Sequence, residues 1–515
     1  MRKCRAAVNI LKLLYAAELT VTALIAFQLR FSSILPFAST NIYIPLTLLF
    51  KHLNLELNRI LNSRYFEEKK TFSLKKKMRN CFWNKSFTTL LLLLVVVNAD
   101  SNFFNDTIFG YYNVNQTTGA QLFYQFIPAA GFNVTNTTKP IVMFMQGGPG
   151  CASQYANLIE IGPYYVQNQS GTLNLVPRNI TWNSEVNLLF IDNPSDAGYS
   201  IPGSQYVLDS TTTAIQLCTL LVQFFNDNPS LAKLDFWVMG ESYGGHYVPA
   251  VAYQILTDFS TKLPPLKGIA IQNPWTDAFY QLQYFGAVPY AEGVIDPSTR
   301  DFIESWIVKG QMYLLNQNLS AGSQMFDAIE NYIVSPPISG GIFINNFRYF
   351  QTGDPYAAIF NSYGLTDAYL GQASIKEKFT VPANHSYSLC NGTIYEAWSQ
   401  DSGRSFLPEL AYALERTKVI IYNGADDMEC NTAGVLSFIR HINWSGQSAY
   451  RQANKVSWQM KNNKIAGTAK VGGNLTFLSV YDAGHYVPFD QPLVSLDMLQ
   501  RIMADNDNWA EPFNL

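Results

Sequence analysis

After residue 100 the chain is punctuated by short, uninterrupted apolar runs. They are Ile141–Met145, Leu188–Ile191, Phe236–Met239, Ile269–Ile271, Val419–Tyr422 and Phe477–Val480. Runs this short, without polar alternation, read as strands buried on both faces, and the mixed stretches between them read as covering helices. The predicted class is α/β, a mostly parallel central sheet flanked by helices. The interval from Trp275 to Cys390 is too long for one crossover. It predicts a mainly helical cap over 277–389, inserted between two parts of the sheet domain, 100–276 and 390–515. Aromatic residues of that insertion, among them Phe347, Tyr349, Phe350 and Tyr363, are expected mostly to form its own core and otherwise to line a pocket.

One run ends in chemistry. Leu234–Met239 leads directly into Gly240-Glu241-Ser242-Tyr243-Gly244, a G-x-S-x-G element in the strand-then-helix context of a nucleophile elbow. The following stretch, His246–Ile255, reads as the helix, with Pro249 expected to confine its regular part to later residues. A serine hydroxyl needs a base to take its proton and a carboxylate to orient that base. Of five histidines, His52 precedes a leader-like segment, His385 sits inside an N-x-S triplet, His441 lies in a polar stretch, and His246 follows the elbow so closely that a structural role is expected. His485 follows the strand-like Leu475–Tyr481, where a loop at a strand's carboxyl end delivers a base. Asp426 and Asp427 follow the run ending at Tyr422, giving the order Ser, Asp, His of the α/β-hydrolases.

Four separated blocks make the likeness specific: Gln146–Ser153, Gly240–Pro249, Gly424–Asn431 and Ala483–Pro492. Together with Asn187–Ser200 and Ser405–Ala411 they resemble the serine carboxypeptidases, the α/β-hydrolase family of yeast carboxypeptidase Y and the plant and lysosomal enzymes, from about Asn105 to the end. The resemblance implies Ser242 as nucleophile, His485 as base and Asp427 as its partner. Asp426 remains a second possibility because Ala425 replaces the first aspartate of the Gly-Asp-x-Asp pattern. It implies the backbone N–H groups of Gly148 and Tyr243 as oxyanion donors, and Gln146, Glu160 and Glu241 as the site for the substrate's terminal carboxylate. Two carboxyls in one pocket hold a proton above their usual range, which implies an acidic optimum. It also implies a Cys151–Cys390 disulfide, a free Cys430 near the substrate and no cofactor or metal, with Cys218 read as a buried core thiol. The sequence departs from the family at Phe144-Met145-Gln146, where Trp-x-Asn is usual. The amide moves out by one methylene and the indole donor is lost. Ester hydrolysis or acyl transfer on the same triad, or a catalytically silent binding protein, therefore stay open beside peptide hydrolysis.

Charge is sparse, 14 % of residues with a net of −3, which implies no nucleic-acid partner. Asn105, Asn115, Asn133, Asn136, Asn168, Asn179, Asn318, Asn384, Asn391, Asn443 and Asn474 open N-x-S/T triplets, candidates for glycosylation in a secreted, vacuolar or lysosomal protein. Met78–Ala99 has the basic start, short apolar run and small residues, Val97 and Ala99, of a signal peptide. Residues 1–77 read as an upstream extension or an unstructured segment. Leu13–Leu29 as a membrane anchor is disfavoured by Glu18 at its middle. The mature chain is expected to act on peptides or proteins with a free C-terminal carboxylate and to lack stable membrane insertion.

Overall fold

The computed structural model describes residues 103–104, 107–351 and 354–513. The leader, the extension before it, Leu13–Leu29 and Asn105 lie outside the described residues. The strands are β1 (Ile108–Asn115), β2 (Ala120–Ile127), β3 (Ile141–Met145), β4 (Tyr164–Gln169), β5 (Thr172–Pro177), β6 (Asn187–Ile191), β7 (Phe236–Glu241), β8 (Leu266–Gln272), β9 (Lys418–Gly424), β10 (Lys455–Gln459), β11 (Ile465–Gly472) and β12 (Leu475–Val480). Ten of them form one sheet in the order β1-β2-β6-β3-β7-β8-β9-β12-β11-β10, and β4 and β5 pair separately. The six predicted runs are the six central strands, β6, β3, β7, β8, β9 and β12, all mutually parallel. Antiparallel pairs close both edges.

Alternate residues of these strands feed two cores, as the pleat requires. Met143, Val238, Ile271 and Ile421 face one side with helix α1 (Ser210–Asp227) and helix α2 (Gly244–Leu256). Val142, Trp237, Ala270 and Ile420 face the other, beneath Val494, Met498 and Ile502 of the C-terminal helix Pro492–Met503. Both faces are thus covered, which is why the strands contain no polar alternation. Helix α2 corrects one expectation. It begins at Gly244 and carries Pro249 inside it, because burial of almost all its residues outweighs one missing backbone hydrogen bond.

Between β8 and β9 the chain is mainly helical, including helix α3 (Pro297–Leu315), helix α4 (Leu319–Val334) and helix α5 (Asp354–Leu370). Ile303, Ile307 and Leu314 of α3 pack with Phe326, Ile329 and Ile333 of α4 into the first core, so the insertion is fused to the sheet's hydrophobic interior. Phe347 joins that packing, whereas Phe350 is 52 % exposed. Tyr363 lies 6.1 Å from Tyr155.

Cys151 and Cys390 form a disulfide across 239 residues, tying the loop after β3 to the end of the insertion. Closing so long a loop restricts the unfolded chain, and paired replacement by serine is expected to cost roughly 2–5 kcal/mol, read as a lower melting temperature. Cys218 and Cys430 are free and buried. The triplet asparagines Asn133, Asn136, Asn168, Asn179, Asn318, Asn384, Asn443 and Asn474 are exposed, while Asn115 and Asn391 are half-buried. Among the described residues no helix is long and apolar enough to cross a membrane.

Candidate active site

Ser242 stands just beyond β7 with φ of 61°, the left-handed region that a serine adopts only under constraint. Its N–H donates to Gln272 O (2.9 Å), and its carbonyl accepts from Gly245 N and Trp275 N, both at 2.8 Å. Bulk is excluded on every side of this turn. A Cβ on Gly240 would lie 2.9 Å from Met145 O, and one on Gly147 only 2.6 Å from Tyr243 N. The glycines therefore let the loop after β3 close directly onto the serine.

Strands β9 and β12 are parallel neighbours, so the loops leaving their carboxyl ends emerge side by side. One carries Asp427 and the other His485. His485 Nδ1 lies 2.8 Å from Asp427 Oδ2, and both side chains are nearly inaccessible. Asp427 Oδ2 also accepts from Asn273 Nδ2 at 2.7 Å, and its Oδ1 accepts from Glu429 N at 2.9 Å. The carboxylate is thereby held acceptor-only, leaving the imidazole Nδ1 to donate and Nε2 free to act as base. Asp426 points elsewhere and pairs with Arg348 at 2.7 Å. Burial opposes a charge on His485, yet the carboxylates of Asp427, Glu429 and Glu160 outweigh it and hold the imidazole up to about 9.

The remaining described histidines take other roles. His246 is buried, stacks on Tyr243 at 4.4 Å and places Nδ1 2.6 Å from Trp275 O, a structural position. His385 contacts Gly198 O, and His441 stacks on Tyr280.

Glu241 and Glu160 are 0 % and 2 % exposed. Burial drives the Glu160 carboxyl up to about 7 and Glu241 well above its usual range, each also acting on the other. Glu160 sits on a π-helical turn, Ala156–Ile161, that directs it inward. Gln146 Nε2 donates to Glu241 Oε1 at 2.7 Å, so the longer amide still reaches the pair, while its buried Oε1 has no partner among the described residues. Gln272 Nε2 bridges Glu241 Oε2 and His485 O, joining that carboxyl to the base's own loop. Phe144 points away into the second core, edge-on to Trp182 at 5.9 Å.

Ser242 opens onto a cavity of about 190 Å³ whose walls include Gly148, Tyr243, Trp275, Phe326, Asp327, Tyr395, Glu429 and Cys430. Neither the Gly148 nor the Tyr243 N–H donates to another described residue. Two free donors beside the half-buried serine suit an oxyanion. The Tyr243 ring is fixed from behind by its hydroxyl, which donates to buried Asp401 at 2.8 Å.

Residues 99–505 match the family described as serine carboxypeptidase. The chain belongs to that family. It is a serine-type hydrolase and protease by membership. A serine carboxypeptidase S10 family member from Dictyostelium discoideum is 28 % identical over 81 % of this chain and 98 % of its own. A serine carboxypeptidase-like protein of Arabidopsis thaliana is 32 % identical over 76 % of this chain and 77 % of its own, and the venom serine carboxypeptidase of Apis mellifera 31 % over 76 % and 83 %. Among solved structures, a prohormone-processing carboxypeptidase from Saccharomyces cerevisiae superposes with TM-score 0.67 at 22 % identity, covering 79 % of this chain and 93 % of that one, which shows a common fold.

Sequence reasoning missed Asn273, Gln272, Asn345 and Glu429. Asn345 accepts the His485 N–H at 2.6 Å and donates its amide to Glu429, so it holds the base's loop from the insertion. A signal existed for two of these residues: Gln272 and Asn273 are polar residues ending an apolar strand at its carboxyl end, where α/β sheets place ligand sites.

Proposed function

We propose that this serine carboxypeptidase removes C-terminal residues through an acyl-enzyme, with an acidic optimum. Ser242 Oγ attacks the scissile carbonyl carbon as its proton passes to His485 Nε2. The oxyanion rests on the Gly148 and Tyr243 N–H groups, and Asp427 orients and stabilises the imidazolium. Collapse breaks the C–N bond, the leaving amine takes the proton from His485, and an acyl-serine ester remains. Water then attacks that ester with the same base and regenerates the hydroxyl.

The buried carboxyl pair carries this reading. With at least one proton between them, Glu160 and Glu241 can donate to a substrate carboxylate, with Gln146 beside them. Without it they repel the substrate. Activity on free acids is thus favoured at acidic pH, where the pair holds a proton, and declines as pH rises and the pair ionises, Glu160 through about 7 and Glu241 from well above its usual range. Glu160→Gln is expected to keep a neutral donor and flatten that decline.

The eleven triplets and leader-like segment support passage through the secretory pathway to a vacuolar or lysosomal lumen, or outside the cell. The test of function is mass spectrometry of a free-acid peptide incubated at pH 5. Shortening one residue at a time from the carboxyl end, absent in Ser242→Ala, is the expected result. Internal cleavage, or an untouched peptide, would sink the proposal.

A further inference from the structure

The cavity beside Ser242 has a chemistry that the catalytic steps do not use. Asp327, Glu396 and Glu429 line it, and among the described residues no lysine or arginine does. Its apolar wall is Trp275 and Phe326, whose rings lie 4.4 Å apart. Asp327 is on α4, and Tyr395 OH donates to its Oδ1 at 2.7 Å, which fixes the carboxylate and leaves Oδ2 available. Asn345 similarly fixes Glu429. Ser323, one turn before Asp327, lines the same cavity at 5 % exposure and has no hydrogen-bond partner among the described residues. Its hydroxyl faces the cavity without a protein partner and is free to bond an occupant.

We propose that this cavity is a specificity pocket for a lysine or arginine side chain on the acyl side of the scissile bond. The methylene stem would lie along Trp275 and Phe326, as long cationic side chains lie on apolar surface, with Ser323 and Asp327 at the charged head. Arginine's fork suits two acceptors at once. A volume of about 190 Å³ has room for one such side chain. The acyl side follows from placement. Gln146, Glu160 and Glu241 are absent from the cavity's walls, so it is not the pocket read above as taking the terminal carboxylate. The inference rests on the carboxypeptidase reading only for the direction in which the peptide runs.

The test compares N-blocked dipeptides ending in leucine, with arginine, lysine, glutamine or norleucine at the acyl position, and the corresponding N-blocked amino-acid ethyl esters. Expected is a kcat/KM for arginine at least about tenfold above norleucine, on peptides and esters alike, tenfold corresponding to ~1.4 kcal/mol. Asp327→Asn, whose oxygen still accepts from Tyr395, should remove most of that preference, read as the ratio of kcat/KM for arginine to that for norleucine. Norleucine equal to arginine, a basic preference confined to the terminal position, or an equal loss on all substrates in Asp327→Asn would overturn the proposal. If peptides resist while esters show the arginine preference, the pocket stands and the carboxypeptidase reading fails.

Discussion

Asp427→Asn is expected to lower kcat by about 10⁴-fold, and Asp426→Asn to lower it only a few-fold. The two aspartates are adjacent, with Asp427 favoured by the family pattern and Asp426 left as the alternative, and the geometry separates them completely. Asp427 accepts from His485 Nδ1 at 2.8 Å and from Asn273 at 2.7 Å. An asparagine there would present an amide N–H or a weaker acceptor to the imidazole, and the wrong tautomer leaves no base for the serine. That loss in a Ser-His-Asp site is on the order of 10⁴ with the fold intact. Asp426 pairs with Arg348 at 2.7 Å, a partly exposed ion pair worth at most about 1 kcal/mol. Steady-state kinetics of both variants with a free-acid dipeptide check this. Equal losses in the two would mean that the pairing seen here is not the productive one.

Gly147→Ala is expected to reduce kcat by roughly 10²–10³-fold, the usual cost of losing one oxyanion donor. Its new methyl would sit 2.6 Å from Tyr243 N, 2.7 Å from Glu241 O and 2.7 Å from Ser242 Cβ. Two of those neighbours are backbone atoms of the elbow, which cannot rotate aside, so either the loop after β3 or the elbow must retreat. A shift of ~1 Å is enough for a loss of this size. Gly364→Ala, at an exposed position of helix α5 with nothing within 4 Å, is the control and should leave activity unchanged. Near-normal kcat in Gly147→Ala would show that this loop does not supply the donor.

What the sequence disclosed and what it hid follow from the same physics. The six central strands were legible because burial on both faces leaves mostly apolar letters. β1, β2, β10 and β11 were not, since they carry polar residues and pair at edges. The elbow was legible because its strain demands glycines locally. Asn345 was not, because its partners lie 84 and 140 residues away and only the folded insertion brings them together. The departure at Phe144-Met145-Gln146 resolves into two unlike parts. Phe144 fills a core position, and Gln146 spans the added methylene to reach Glu241. Pro249 misled for the opposite reason, since a buried helix tolerates a break that an isolated one would not.

Substrate recognition by a shared proton is the central claim, and the pH dependence of kcat/KM for an N-blocked dipeptide and its C-terminal amide tests it most directly. Between pH 4 and 8 the free acid should be preferred at low pH and fall away as the carboxyl pair ionises, Glu160 through about 7 and Glu241 from well above its usual range. Amide turnover should not share that decline. Parallel profiles for the two substrates, or a free acid turned over faster as pH rises, would contradict it.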